Sequence, residues 1–88
     1  MIEVKTESGF VCTVSSALKD DMELVDILTG EYLNEAYRSS ALVRHILGDQ
    51  KKALYDHVRK THGMVSVTAV NKELVDIFAA LGEQGKNS

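Results

Sequence analysis

The chain has no proline, a single cysteine, no long apolar run and no surplus of positive charge. Without proline, its turns have to come from Gly, Asn, Asp and Ser. With Cys12 alone, no disulfide forms within these residues, so a small secreted fold held by bridges is excluded and a cytosolic setting is expected. No apolar stretch approaches the ~20 residues of a membrane span, so no membrane partner is expected. The net charge of −3 argues against general affinity for nucleic acid, which needs an excess of Lys and Arg to meet phosphates. Met1 to Lys5 alternates apolar and charged residues, which reads as a strand rather than a signal peptide.

What is present fits one domain, residues 1–82, with a polar and flexible tail expected at 83–88. A domain this short buries only roughly 60–65% of its unfolded surface, so partner binding would add stability it lacks alone. The fold class expected is α+β: an N-terminal β-hairpin followed by a bundle of about four short helices. Ile2, Val4 and Thr6, then Phe10, Cys12 and Val14, keep the period of two that marks half-buried strands, with Glu7-Ser8-Gly9 as the turn. A first helix, capped by Ser15 or Ser16, is expected to bury Leu18, Met22, Val25 and Leu28, with Leu24 and Ile27 widening the face, and to end at Thr29-Gly30. Residues 31–39 fit either a loop or the start of the next helix. Ser39 or Ser40 is expected to cap a helix that buries Leu42, Val43, Ile46 and Leu47 and stops at Gly48. Asp49 then caps a third helix with Leu54, Tyr55 and Val58 inside, ended by His62-Gly63. After an extended link at Met64 to Val67, capped by Ser66 or Thr68, Val70, Leu74, Ile77, Phe78 and Leu81 define a last helix that Gly82 ends.

Few residues suggest chemistry. His57 and His62 are five apart, a poor match to the spacing of helical zinc ligands, and no second Cys is present, so no metal or other cofactor is expected. Cys12 reads as a small apolar filler and His45 as a boundary residue. Asp20, Asp21, Glu23 and Asp26 lack the Gly and the ligand spacing of a calcium loop. The glycines stand singly at turns rather than in a phosphate-binding loop. No nucleophile has a neighbouring base and orienting group, so catalysis is not expected. Charge is segregated, however. Residues 1–30 hold six acids and two bases, a net −4, and residues 51–62 hold four bases and one acid, a net +3. Asp20, Asp21 and Glu23 on one copy and Lys51, Lys52, Arg59 and Lys60 on another are therefore candidates for self-association into a homo-oligomer. The same four bases around Tyr55, after a Leu47-Gly48-Asp49 turn, leave a small DNA-binding regulator open as a rival reading.

The order of segments carries more. A hairpin with Glu-Ser-Gly-Phe at its turn precedes an acidic Asp-Met-Glu-Leu-Val-Asp segment, residues 21–26. Then come Ser-Ala-Leu-Val (40–43) with Ile-Leu-Gly (46–48), and Lys-Ala-Leu-Tyr-Asp-His-Val-Arg (52–59). His-Gly-Met-Val-Ser-Val (62–67) and Glu-Leu-Val-Asp-Ile-Phe (73–78) close the series. Over about residues 3–88 this order resembles the small tail assembly chaperones of long-tailed bacteriophages and related prophages. The resemblance implies a protein of the host cytoplasm that is absent from the finished virion. It also implies two partners: the long helical tape measure protein, which it keeps soluble, and the major tail protein, which polymerises around it. Many such proteins are also made as a longer product by programmed ribosomal frameshifting. Gln84-Gly85-Lys86 encoded as CAG-GGA-AAG, or Gly85-Lys86-Asn87 encoded as GGA-AAA-AAC, would supply a slippery heptamer.

A chaperone of this kind needs apolar surface for a client helix. Leu33, Tyr37, Val43, Tyr55, Met64 and Phe78 are the candidate partner contacts, with 31–39 as a movable arm. A structural tail or connector subunit, which would remain in the particle, is a further alternative.

Overall fold

A computed structural model of the chain describes residues 1–86, with side chains described through Gly82. Strands β1 (Ile2–Lys5) and β2 (Val11–Val14) pair antiparallel, with Ile2 opposite Val14 and Val4 opposite Cys12. The hairpin therefore pairs within the chain. Its reversal is closed by Thr6 N–H to Phe10 O (2.8 Å) and Gly9 N–H to Thr6 O (3.0 Å), with Gly9 at φ 95°. The pleat sends Val4, Thr6, Phe10, Cys12 and Val14 into the core and Glu3, Lys5, Val11 and Thr13 outward.

The expected first helix is two pieces. Ser15 caps a 3-10 turn, Ser16–Asp20, by accepting from Ala17 N–H, and Asp21 then breaks out into extended backbone before α1 (Met22–Thr29) begins. The cause is local: the Asp21 carboxylate accepts from the N–H groups of Glu23 (2.9 Å) and Leu24 (3.3 Å), which restarts the helix two residues on. The restart rotates the buried face. Leu24 is buried and Ile27 packs against the core, whereas Met22, Val25 and Leu28, expected inside, are exposed.

The 31–39 segment resolves as a short link followed by α2 (Glu35–Leu47), so 35–39 belongs to a helix rather than to a movable arm. Asn34 caps it by accepting from Tyr37 N–H (3.3 Å). Ser39 and Ser40, the expected caps, sit inside the helix. Ser39 is buried, donates to Glu35 O (2.9 Å) and pairs with Asn71. Gly48 ends α2 at φ 54°, ψ −120°, a conformation that a side chain would strain. A 3-10 turn over Gly48–Gln50 leads straight into α3 (Lys51–His62), without the Asp49 cap expected from sequence. Gly63 in the left-handed region closes α3, its N–H reaching Arg59 O at 2.8 Å.

The last helix, α4 (Val67–Lys86), is capped by Ser66 Oγ, which accepts from Ala69 N–H. It runs through Gly82, the expected stop. One helical glycine costs only about 1 kcal/mol relative to alanine, less than is needed to end a long helix by itself. The helix span continues to Lys86, into the stretch 83–88 expected as a flexible tail, and residues 87–88 lie outside the described residues. Three long helices, α2, α3 and α4, make the bundle and the two-turn α1 packs on α2, in place of about four similar short helices. The class is α+β.

One core holds these elements together. Val14 of the hairpin, Val43 of α2, Leu54 and Val58 of α3 and Ile77 of α4 are its most enclosed side chains. Full burial of each contributes ~1.5–3 kcal/mol. Tyr55 and Phe78 pack against its edge. Among the described residues no helix is long and apolar enough to cross a membrane.

Candidate functional site

Two places on the molecule carry more than packing: a polar cleft under the hairpin turn and an apolar face around α1.

The cleft has a volume of about 220 Å³ and is lined by residues of α3, α4 and the turn. At its floor Glu73, only 3% exposed, accepts hydrogen bonds at Oε1 from Thr6 Oγ1 (3.1 Å) and Ser8 Oγ (2.6 Å). His57 Nε2 lies 3.0 Å from Ser8 Oγ and 3.9 Å from Glu73 Oε1, and its ring stacks at a tilt on Phe10. The pattern of protons follows. Ser8 gives its hydrogen to the carboxylate, so the contact with His57 requires a proton on Nε2, donated to the hydroxyl oxygen. In a Ser–His–acid triad the acid holds the imidazole by the nitrogen that faces away from the hydroxyl. Here the carboxylate and the hydroxyl face the same nitrogen. The arrangement is a network that ties the hairpin turn to α3 and α4, and it explains how a buried carboxylate is satisfied. Nearby, Glu7 N–H donates to Asp76 (2.9 Å) and Lys72 bridges Glu7 (2.8 Å) and Asp76 (3.1 Å). These contacts hold the Asp76 carboxyl below its ordinary range, the Glu7 N–H first and Lys72 after it. The same carboxylates, Glu7 before Asp76, raise the Lys72 ammonium. Burial, and then the charge of Glu73, push up the Cys12 thiol, which suits a filler.

On the far side of the hairpin, Gln50 turns its amide onto β2. It accepts from Thr13 N–H (2.8 Å) and donates to Thr13 O (2.7 Å). The open edge of β2 is thereby occupied at Thr13 by a side chain.

The second place is apolar. Met22, Val25 and Leu28 of α1, Leu33 of the link and Tyr37 of α2 are all exposed, Leu33 at 89% and Met22 at 69%. Asp21 fixes this end of α1 from its other oxygen as well, bonded to His45 Nε2 at 2.8 Å. That bond is the main cause of a carboxyl held below its ordinary range, with the N–H groups of Leu24 and Glu23 adding to it. Arg38 donates to Gly30 O (2.9 Å), lies over the Tyr32 ring and leaves its buried Nε without a partner. A Cβ at Gly30 would meet Asp26 O at 2.8 Å, so the link leaves α1 where only glycine fits. A shallow groove of about 350 Å³ runs between α1 and α2, lined by Ile27, Ala41, Arg44 and His45.

Of the residues singled out from sequence as partner contacts, Leu33, Tyr37 and Met64 are exposed. Tyr55 and Phe78 are half-buried against the core. Val43 has no exposed surface and belongs to the core. The self-association charges are partly spent at home. Asp21 is engaged by His45, Lys52 and Arg59 both pair with Asp56 of their own helix, and Lys51 lies over the Tyr55 ring. Asp20, Glu23 and Lys60 are exposed. The Thr6–Ser8–His57–Glu73 network, the Gln50 bracket and the Ser39–Asn71 pair were not foreseen. Their members lie up to 67 residues apart, and only Glu73, an acid between apolar positions of α4, gave a local sign. Among the described residues no His, Cys, Asp and Glu cluster is arranged to hold a metal ion. Comparison with known proteins found no matching family model, no matching curated protein and no matching solved structure.

Proposed function

We propose that this chain is a protein-binding module that serves as a tail assembly chaperone of a long-tailed bacteriophage. It keeps the helical tape measure protein soluble in the host cytoplasm until the major tail protein assembles around it. The observation that carries the binding role is the set of exposed apolar side chains from Met22 to Tyr37. Single exposed apolar residues are ordinary. Five within one short stretch, all outside the buried core, offer apolar contact area to an amphipathic partner. The tail-assembly role is supported by the order of segments along the chain.

Co-expression with a tape measure protein of a long-tailed phage tests the reading. The soluble fraction of tape measure protein rises with the chaperone present, and no rise overturns the proposal. Mass spectrometry of finished virions separates a chaperone, which is left behind, from a structural tail subunit, which is retained. The DNA-binding alternative is disfavoured by the acidic balance of the chain, a net charge of −3, with positive charge concentrated in α3. Salt-sensitive affinity for duplex DNA is therefore not expected.

A further inference from the structure

Negative charge predominates around the exposed apolar residues from Met22 to Tyr37. Residues 20–37 contain six acids, Asp20, Asp21, Glu23, Asp26, Glu31 and Glu35, and no base. All but Asp21 are exposed. On α1 the helical period sets Asp26 beside Met22 and Val25, with Glu23 next to it, while Glu31 and Glu35 flank Leu33 and Tyr37 in sequence. Lys19 and Arg38 bound the stretch and Arg44 lines the groove beside Ile27, so over residues 19–44 the six acids stand against three bases and the balance stays negative. An apolar partner with acidic flanks would meet like charge here, and one with basic flanks would meet opposite charge.

The basic helix of a second copy, α3, does not supply such a partner: it keeps Leu54 and Val58 inside its own core. It offers charge without an apolar stripe. Resting on the protein-binding reading above, we propose that this face receives an amphipathic helix of a different protein, whose apolar stripe at i, i+3/i+4 and i+7 is bordered by Lys or Arg. The apolar contacts supply the hold, and the acids select the partner and speed its arrival.

Two synthetic helical peptides test this, identical in their Leu stripe and differing only in Lys or Glu at the flanking positions. Each is titrated against the full chain by fluorescence anisotropy at about 50 mM and about 300 mM salt. The Lys-flanked peptide binds about tenfold tighter at the lower salt, and its advantage shrinks at the higher. A triple variant, E23K/D26K/E31K, reverses the preference, and L28D/L33D weakens both peptides. Circular dichroism melts confirm that these surface variants remain folded. Equal binding of the two peptides, or a preference that the triple variant leaves in place, overturns the inference. If neither peptide binds while the chain still solubilises tape measure protein, the inference falls and the protein-binding reading stands. If solubilisation also fails, both fall.

Discussion

At the scale of single residues, the buried carboxylate of Glu73 makes the sharpest demand. It is satisfied by two hydroxyls from the hairpin turn, and Thr6 is itself buried and also accepts from Phe10 N–H (3.2 Å). Thr6→Val keeps the volume and removes both bonds. Leaving a buried acceptor and a backbone donor short of partners costs about 1–3 kcal/mol, to be read as a lowered denaturation midpoint with an unchanged denaturant slope. Asp21 gives a prediction in pH. Its folded carboxyl is held below the ordinary value, chiefly by the His45 bond. The stability it adds is therefore fully present above the unfolded value of ~3.9 and lost as pH falls through the depressed folded one. The protection of the Glu23 and Leu24 amides, taken relative to their intrinsic exchange rates at each pH, should fall below about pH 4. Asp21→Asn, which keeps a capping oxygen but no titration, should flatten that dependence, and an unchanged profile in the variant would contradict the assignment.

At the scale of elements, the backbone between α2 and α3 depends on Gly48. Its φ and ψ of 54° and −120° exclude a side chain for conformational reasons alone, since nothing lies within 4 Å of where a Cβ would stand. Gly48→Ala should cost about 1–3 kcal/mol in equilibrium unfolding. Ala at an exposed helical position such as Lys52 should change stability little. The hairpin, the Gly48 and Gly63 stops and the stripes of α2, α3 and α4 were legible in the sequence because each is a local signal: alternation, a turn residue, or a period of 3.6. The α1 face was misread because one capping carboxylate, Asp21, outweighed a continuous apolar pattern and shifted the helix phase. The α2 start was misread because Asn34 and Ser39 are both good caps, and only the tertiary pairing of Ser39 with Asn71 decides between them. The candidate site was legible only in part. Leu33 and Tyr37 stood out as apolar residues in an ambiguous stretch, but Met22, Val25 and Leu28 looked like core until the phase shift turned them outward.

At the scale of the whole molecule, two halves do different work. The hairpin, α3 and α4 are joined by Thr6–Glu73, Ser8–His57 and the Gln50 bracket on Thr13, contacts that cross the chain and stiffen it. The region from α1 to the start of α2 is held by Asp21–His45 and Arg38–Gly30 and exposes the apolar side chains that a partner would cover. Hydrogen–deuterium exchange of the chain alone and with the proposed tape measure client tests this most directly. Amides of residues 22–37 should become protected on binding while those of α3 and of α4 through Gly82 stay as they were. Protection confined to α3 and α4, or none anywhere in a complex that has demonstrably formed, would contradict the account.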